Sequence, residues 1–291
     1  MNKTILVTGA CGQLGSAIRM SASARRDCVF HFTDVDTLDL CDASQLSDFV
    51  ARNDIRYVLN CAAYTAVDKA EEDVERCMRI NFDAVRNMGR VAGLHGIKVI
   101  HISTDYVFDG RGTKPLREDD ATNPQSVYGA SKLAGEKALQ AVCPDSVIIR
   151  TAWLYSEYGH NFFKTMLQLG RERETVRVVS DQTGTPTYAA DLAEAMLTVV
   201  DSPAFVPGIY HYSNEGICSW YDFAVKIMNR AGLHCRVEPV RTHEYPTRAV
   251  RPAYSVLDKD KIRQTYGVKV PDWETGLEKA LKRFQSLNRE S

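Results

Sequence analysis

The chain has 291 residues, of which 44% are hydrophobic and 25% are charged, and its formal net charge is −1. A chain of this length and composition can bury a large apolar core, which excludes disorder as its default state. Its balanced charge excludes long-range attraction to nucleic acid or to an acidic membrane, so a polyanionic ligand has to be held locally.

The sequence carries no recognisable targeting or metal-binding signal. The N-terminal apolar run at residues 5–7 is too short for a signal peptide and leads directly into a glycine turn. No stretch reaches the roughly 18 consecutive apolar residues of a membrane span. The eight cysteines form no CxxC pair, and the seven histidines have no metal-ligand spacing. We therefore expect a cytosolic protein with reduced thiols and without a metal site.

In the first half of the chain, short β-branched runs alternate with segments of helical periodicity, which is clearest over residues 74–94 and 128–142. This alternation predicts right-handed β–α–β crossovers and an α/β fold, a doubly wound parallel sheet of the Rossmann type with helices on both faces. The apolar runs at residues 5–7 and 147–149 are typical of strands buried on both faces. Strands are predicted at residues 4–8, 29–33, 57–60, 99–103 and 147–150.

The second half is less regular, and the change near residue 151 indicates two domains, residues 1–150 and a smaller α/β domain of residues 151–291. Some segments of the second domain are expected to return to the first. A loop rich in proline and arginine is predicted over residues 239–252. Helices are predicted over residues 161–173, 190–202, 219–230 and 274–287, with Ser219 as a helix N-cap, and strands over residues 176–179 and 209–212.

The first predicted strand runs directly into a GxxGxxG turn and then into a helix. Gly9 allows the sharp turn, Gly12 allows backbone amides to approach a pyrophosphate, and Gly15 allows the helix to pack close to the sheet. Unpaired amides and the helix dipole then favour negative charge at the helix N-terminus. Because a strand precedes the turn and a helix follows it, the sequence predicts a dinucleotide site here.

An acidic residue is expected after the second strand, about 20 residues beyond the glycines, where it can bind the ribose hydroxyls of a dinucleotide. Asp34 stands at this place. Such an acid favours NAD and repels a 2′-phosphate unless it turns away, so the choice between NAD and NADP stays open. Asp39, followed by Leu40, is a second candidate beside the adenine, with a solvated loop acid as the alternative interpretation.

A candidate catalytic pair lies in the sequence Tyr128-Gly-Ala-Ser-Lys132. Residues four apart share one face of a helix, so both side chains can point into one site. A nearby ammonium stabilises a phenolate, which predicts that Lys132 lowers the pKa of Tyr128. Thr104 ends the fourth predicted strand, where ligands of such sheets bind, and its hydroxyl can contact a substrate carbonyl. The alternative interpretation of the pair alone is an exposed helix edge.

The glycine turn, the strand-end hydroxyl and the Tyr–Lys pair, in this order, resemble the extended short-chain dehydrogenase/reductase family. Within that family, further segments spread over nearly the whole chain resemble the dTDP-4-dehydrorhamnose reductases. These segments are residues 60–71, 103–110, 128–136, 150–155, 161–162, 181–187 and 251–252.

The resemblance implies NADPH or NADH as the cofactor and assigns residues to its parts. Tyr128 would be the proton donor, Lys132 its partner and a ligand of the nicotinamide ribose, and Thr104 the group that orients the carbonyl. The pyrophosphate would be covered by Gly12, Gln13 and Leu14, and the adenosine would lie near Asp39 and Leu40. The nicotinamide half would lie along the segment Ala62, Ala63, Tyr64 and Thr65.

A sugar nucleotide is the implied substrate, and no nucleic acid or membrane partner is expected. Trp153 can equally be a core aromatic, and Arg251 can be either a ligand of the nucleotide phosphate or a loop charge. The candidate substrate contacts are Thr104, Asp105, Tyr106, Trp153, Asn161, Gln182 and Arg251.

By this resemblance the protein would reduce dTDP-4-dehydrorhamnose to dTDP-L-rhamnose, a step toward cell-surface polysaccharide. The alternatives are another sugar-nucleotide 4-ketoreductase, an epimerase, a dehydratase, or a non-catalytic regulatory subunit of the methionine adenosyltransferase type. Dehydratases of this family carry a glutamate where this chain has Tyr106. A homodimer is left open, but Ser16 follows the last glycine where some relatives have metal-binding acids, so no bridging metal is expected.

Overall fold

A computed structural model describes residues 3–290 of the chain. The strands in this range are β1 (Lys3–Thr8), β2 (Cys28–Thr33), β3 (Tyr57–Asn60), β4 (Lys98–Thr104), β5 (Val147–Thr151), β6 (Leu154–Tyr155), β7 (Thr175–Val179), β8 (Thr183–Gly184), β9 (Thr187–Tyr188), β10 (Gly208–His211), β11 (Cys218–Ser219) and β12 (Arg236–Val240). The α-helices are α1 (Gln13–Ala22), α2 (Ala43–Arg52), α3 (Val67–Ala70), α4 (Val74–Met78), α5 (Ala84–His95), α6 (Val127–Val142), α7 (Phe162–Glu172), α8 (Ala189–Asp201), α9 (Trp220–Ala231), α10 (Asp260–Tyr266) and α11 (Trp273–Glu290).

A six-stranded, fully parallel sheet in the order β10-β5-β4-β3-β1-β2 organises the protein. Ile5, Leu6 and Val7 of β1 are completely buried, as the apolar run predicts for a strand covered on both faces. The chain leaves β1 in one direction toward β2 and later in the other toward β3 and β4, which creates a switch point beside β1. The predicted doubly wound α/β class is confirmed, and such switch points are where ligands bind.

Helices cover both faces of this sheet, and each face has its own core. Ile5 and Val7 pack with Ile18 of α1 and Met196 of α8 on one face. Leu6 points to the opposite face, where α2, α5 and α6 supply the packing side chains. Since α8 and β10 come from the second half of the chain, segments beyond residue 151 complete the sheet of the first half.

A separate apolar core lies among the remaining elements of the second half. Phe163 of α7, Phe223 of α9 and Leu277 of α11 are completely buried in it. Strands β7 and β12 pair in parallel next to these helices. Ser219 caps α9 through a reciprocal capping box with Asp222, as the sequence predicts for this helix start.

The structure differs from the sequence predictions at several elements. The helix predicted over residues 74–94 is interrupted by a π-helical turn, Arg79–Asp83, which separates α4 from α5. Helices α2 and α10 were not predicted from the sequence. The apolar residues Leu46, Phe49 and Val50 do mark a helical face in α2, whereas α10, with seven residues, is too short to show a clear helical period. The loop predicted from residue 239 begins inside β12.

The eight cysteines all lie within residues 3–290 and are free thiols. None of the helices within residues 3–290 is both long and apolar enough to cross a membrane.

A buried ion pair fastens α6 to β5. Arg150 donates through Nη2 to Glu136 Oε2 at 2.7 Å and through Nε to Oε1 at 3.0 Å. The two side chains are only 3% and 1% exposed. The Arg150 guanidinium also lies 5.1 Å from the ring centre of Phe108. Because water cannot replace either partner, the pair fixes the helix that carries the Tyr–Lys motif.

We predict that Glu136→Gln lowers the free energy of unfolding by about 3 kcal/mol or more, because it leaves the buried Arg150 charge uncompensated. Glu278→Gln is the control, since Glu278 pairs with Arg230 at a site where both side chains are nearly half exposed, and its loss should cost less than about 1 kcal/mol. Urea unfolding of the two variants measures the difference. Equal losses of unfolding free energy in the two variants would show that the buried pair stabilises the protein no more than the exposed pair does.

Candidate active site

The glycine turn follows β1 and has the geometry of a phosphate cradle. Gly9 has φ of +63°, and a Cβ there would lie 2.7 Å from the backbone of Ala62. A Cβ on Gly15 would collide with the carbonyl of Gly9. Gly12 precedes α1 in an extended conformation, and no side chain caps the first turn of the helix. The amides of that turn therefore remain available to an anion, and the residues fit a dinucleotide pyrophosphate.

Gln13 connects this turn to the second half of the chain. Its Oε1 accepts hydrogen bonds from Asn161 Nδ2 at 2.9 Å and from Ser156 Oγ at 3.2 Å. Asn161 also caps α7 by accepting from the amide of Lys164 at 3.0 Å. Sequence reasoning proposed Asn161 as a substrate contact, whereas the structure places it as a helix cap beside a candidate cofactor residue.

Asp34 lies at the end of β2, next to the glycine turn. Its Oδ2 accepts from the amide of Cys11 at 3.0 Å, and its Oδ1 accepts from the amide of Val35 at 2.9 Å. The carboxylate therefore faces the glycine turn, where a dinucleotide would bind. Asp39 accepts from the Cys41 amide at 2.8 Å, and Leu40 is buried in the sheet core.

Tyr128 and Thr104 lie at the carboxyl end of β4. Tyr128 is in the first turn of α6, which Ser126 caps by accepting from the amide of Gly129 at 3.1 Å. The Thr104 hydroxyl donates to Asp105 Oδ1 at 2.9 Å. The ring of Tyr106 packs edge to face against Tyr128, with centroids 5.5 Å apart. The structure thus places Tyr128 next to Thr104, the two side chains that the sequence proposed for a substrate carbonyl oxygen.

Burial, rather than charge, dominates the acidity of Tyr128. It raises the pKa of Tyr128 above its usual value, and a hydrogen bond with Thr104 lowers it only in part. The expectation of a lowered pKa is therefore wrong, because desolvation of the phenolate dominates and the charge of Asp105 raises the pKa of Tyr128 further. Tyr128 keeps its proton at neutral pH, which is the state that a proton donor needs.

Lys132 lies one helical turn from Tyr128 and is 2% exposed. Its Nζ donates to the carbonyl oxygen of Ile102 on β4 at 2.6 Å. Burial lowers the pKa of Lys132 to about 8, against the opposing charge of Glu136. The ammonium is thus held at the carboxyl end of the sheet and is close to titration at physiological pH.

Asp105 is a buried carboxyl group with one oxygen uncommitted. Its Oδ2 has no hydrogen-bond partner within residues 3–290. Burial raises the pKa of Asp105 to about 7, and the neighbouring hydroxyls of Thr104 and Ser255 lower it in part. The carboxyl group can therefore be either protonated or ionised near neutral pH, and it lies beside Thr104.

Asn81 is a site residue that sequence reasoning missed. It lies in the π-helical turn and is 1% exposed. Its side chain accepts from the amide of Tyr64 at 2.9 Å and donates to the Tyr64 carbonyl at 3.0 Å and to Ser131 Oγ at 3.0 Å. It therefore clamps the candidate nicotinamide segment, residues 62–65, to the helix of the Tyr–Lys pair. The only available signal was an asparagine on the apolar face of the predicted helix.

Asn60 at the end of β3 supports the same segment from the other side. Its Oδ1 accepts from Thr8 Oγ1 at 2.7 Å and from the amide of Ala62 at 3.2 Å. Its Nδ2 contacts His101 Nδ1 at 2.9 Å. A buried polar network thus joins β1, β3 and β4 and is bonded to the start of the candidate cofactor segment, which runs from Ala62 and Ala63 to Thr65.

The other candidate substrate residues belong to loops of the second half. Arg251 donates through Nη1 to Tyr106 Oη at 3.1 Å and pairs through Nη2 with Asp68 Oδ2 at 2.5 Å. Gln182 is 4% exposed and donates to Thr242 Oγ1 at 3.2 Å. Arg251 is therefore in direct contact with Tyr106, whereas Gln182 is bonded to Thr242 in the loop that follows β12.

Trp153 follows β5 and packs against an aromatic side chain of the second half. Its ring stacks on Trp220, with centroids 3.6 Å apart and planes that differ by 10°. Its φ is +50°, and Thr187 holds this conformation by donating to the carbonyls of Ala152 and Trp153 at 2.6 and 3.1 Å. The role of Trp153 as a substrate contact stays a prediction.

The protein is of the short-chain dehydrogenase/reductase class, because its glycine turn and its Tyr–Lys pair lie at the carboxyl ends of a doubly wound parallel sheet. The more particular assignment comes from comparison with known proteins. Residues 2–286 match the family model described as RmlD substrate binding domain, and the chain belongs to that family.

Relatives are similar over nearly their full length. The chain is 40% identical to the dTDP-4-dehydrorhamnose reductase of Escherichia coli (strain K12), covering 95% of this chain and 96% of that protein. It is also 40% identical to the spore coat polysaccharide biosynthesis protein SpsK of Bacillus subtilis (strain 168), covering 97% and 98%. The solved dTDP-4-dehydrorhamnose reductase from Bacillus anthracis in complex with NADP superimposes with a TM-score of 0.94 at 38% identity, covering 97% and 100% of the two chains.

The placement of Asp34 leads to a prediction about cofactor preference. Asp34→Asn removes a negative charge beside the glycine turn, where the sequence predicts the ribose of a dinucleotide, and retains an oxygen acceptor for one of its two backbone amides. Removing about 1 kcal/mol of repulsion should raise kcat/KM for NADPH about fivefold relative to NADH. Asp48→Asn, on the exposed side of α2, is the charge-matched control and should leave the ratio unchanged. An unchanged ratio in Asp34→Asn would exclude Asp34 as a cofactor contact.

Proposed function

We propose that this protein is an NAD(P)H-dependent reductase of sugar nucleotides that converts dTDP-4-dehydrorhamnose to dTDP-L-rhamnose. The names of relatives that match nearly the whole chain support this substrate. The observation that carries the reaction type is a protonated Tyr128 hydroxyl beside Thr104 at the carboxyl end of β4. A reduction requires a proton donor for the oxygen that gains charge, and this group is in the required state.

A bound reduced nicotinamide supplies the hydride for the 4-keto carbon. Tyr128 donates its proton to the carbonyl oxygen as negative charge develops there. Thr104 orients the same oxygen through its hydroxyl. The Lys132 ammonium stabilises the tyrosinate that remains, an effect that a buried, low-dielectric site strengthens. The chain thus contributes position, proton and charge stabilisation, and the cofactor contributes the redox step.

The cofactor contacts proposed from the sequence fall into groups for the pyrophosphate, the nicotinamide and the adenosine of the dinucleotide. The free amides of the α1 N-terminus support a pyrophosphate beside Gly12 and Leu14. The segment held by Asn60 and Asn81 is rigid enough to position a nicotinamide. Asp39 is proposed near the adenosine. We further propose residues 1–150 as the NAD(P)-binding domain and residues 151–291 as mainly the substrate-binding domain.

Asp105 and Arg251 are proposed for the polar parts of the substrate. The uncommitted Asp105 oxygen suits a sugar hydroxyl, and the Arg251 guanidinium suits a diphosphate, for which it would exchange its contact with Asp68. We propose a cytoplasmic location, and that any homodimer forms without a bridging metal.

We predict that Tyr128→Phe lowers turnover of dTDP-4-dehydrorhamnose by about 10²–10⁴-fold, because the general acid is removed. Binding of NADPH, followed by its fluorescence, should stay within about twofold of the wild type, since the ring and its packing are retained. Tyr245→Phe, at a tyrosine that is 54% exposed, is the matched control and should be fully active. Full activity of Tyr128→Phe, or no oxidation of NADPH by the wild type with any 4-keto sugar nucleotide, would refute the proposal.

The lowered pKa of Lys132 predicts the pH dependence of the reaction. Because the ammonium is the useful form, kcat/KM should fall as the pH rises above about 8, where Lys132 loses its proton. In Lys132→Met the residual activity should lose this decline. A profile of Lys132→Met that declines in parallel with the wild type would assign the titration to another group.

A further inference from the structure

A strap, residues 241–251, follows β12 and is exposed along most of its length. At its start, Asp181 Oδ1 accepts hydrogen bonds from the amide of Thr242 at 2.9 Å and from its hydroxyl at 2.7 Å. Just beyond its end, the amide of Tyr254 donates to the carbonyl of Gly110 at 2.9 Å. The strap therefore leads from the second half of the chain to the loop that follows β4.

Between these two points, Asp68 of α3 holds the strap through both of its carboxylate oxygens. Its Oδ1 accepts from the amide of Ala249 at 3.1 Å, and its Oδ2 accepts from Arg251 Nη2 at 2.5 Å. Ala249 is 1% exposed, although the neighbouring Val250 is 61% exposed. The strap is therefore buried at the residue whose backbone amide Asp68 binds, and it is exposed directly beside that residue.

Arg251 extends this attachment to the tyrosines of the proposed site. Its Nη1 donates to Tyr106 Oη at 3.1 Å, and the ring of Tyr106 packs against Tyr128. Asp68 itself stands three residues beyond Thr65, the end of the candidate nicotinamide segment. An acid beside the proposed cofactor contacts thus fixes a guanidinium of the second half on the neighbour of the proposed proton donor.

A second acid beside α3 pairs with the same strap and offers an internal comparison. Glu72 forms an ion pair with Arg248, and the two side chains are 60% and 62% exposed. The side chains of Asp68 and Arg251 are 41% and 28% exposed. Exposed ion pairs contribute little, because water screens them and long side chains lose freedom in forming them. Since Asp68 also binds the backbone of the strap, we expect it to hold the strap far more strongly than Glu72 does.

We propose that Asp68 is a positioning residue that fastens the strap to α3 and thereby holds Arg251 beside Tyr106. This inference rests on the proposed function, in which Tyr106 and Arg251 belong to the sugar-nucleotide side of the site. The bond to Ala249 uses a different carboxylate oxygen from the bond to Arg251. The strap therefore stays attached to α3 when Arg251 changes its partner.

Steady-state kinetics of the full-length protein test the proposal. Asp68→Ala removes both bonds and should raise the KM for dTDP-4-dehydrorhamnose about tenfold, the scale of a lost hydrogen bond to a charged group. The kcat and the KM for NADPH should stay within about twofold of the wild type. Asp68→Asn keeps an oxygen acceptor for the Ala249 amide and should raise the KM for the sugar nucleotide less than Asp68→Ala does. Glu72→Ala is the matched control and should leave all three constants unchanged.

Hydrogen–deuterium exchange of the strap provides a readout that does not require turnover. Mass spectrometry of the peptide that contains residues 246–251 follows the amide of Ala249. This amide should exchange at least about tenfold faster in Asp68→Ala, because opening of the strap exposes it to water. The exchange in Asp68→Asn and Glu72→Ala should remain close to that of the wild type.

The remaining outcomes separate the proposal from its alternatives. An equal rise of the KM for NADPH in Asp68→Ala would indicate a distorted α3 and overturn the inference, and so would equal effects in Glu72→Ala. A lower KM for the sugar nucleotide would make Asp68 a competitor of the substrate for Arg251, which also overturns it. Wild-type exchange and kinetics in Asp68→Ala would overturn it and leave the proposed function intact. Faster exchange in a protein that reduces no keto sugar nucleotide would support the attachment of the strap and refute the function. If thermal unfolding shows that Asp68→Ala does not fold, Asp68→Ser decides in its place.

Discussion

The site depends on the burial of the Tyr128 hydroxyl at the end of β4, because burial decides which proton state each nearby group adopts. Desolvation keeps Tyr128 neutral and brings Lys132 close to the pH at which it releases a proton. Asp105, in the same dry surroundings, titrates near neutrality. The protein thus places the neutral Tyr128 hydroxyl near the Lys132 ammonium. The ammonium stabilises the tyrosinate once Tyr128 has given its proton to the substrate.

This burial depends on the close approach of α6 to its neighbours. A Cβ on Gly129 would collide with the carbonyl of Tyr106, and a Cβ on Gly135 would collide with the carbonyl of Asn81. The Glu136–Arg150 pair fixes the same helix to β5. Two glycines and one ion pair therefore hold α6, and Tyr128 with it, close to its neighbours. The same contacts that stabilise the fold also bury the Tyr128 hydroxyl and so raise its pKa.

The sequence predicted what local patterns determine, and it missed what requires contacts between distant segments. The glycine turn follows from the GxxGxxG spacing, the main strands follow from their apolar runs, and the capping role of Ser219 follows from its position before a helix. The structure confirms these elements. The π-helical turn at Asn81 was invisible, because one inserted residue leaves the helical pattern almost unchanged while it turns an amide toward Tyr64. The sign of the Tyr128 pKa shift was wrong because spacing reveals a neighbouring charge but not the depth of burial. The strain at Trp153 is imposed by Thr187, far along the chain, and no local signal marks it.

Hydrogen bonds join several of the side chains that are proposed to contact the ligands. Gln13, beside the phosphate turn, is bonded to Asn161, and Arg251 bridges Tyr106 and Asp68. These polar side chains satisfy one another, which avoids the cost of leaving them unpaired where they are partly buried. A dinucleotide and a sugar nucleotide would therefore exchange existing hydrogen bonds for new ones rather than order loose side chains. The free energy of binding then depends mainly on charge complementarity and less on induced order.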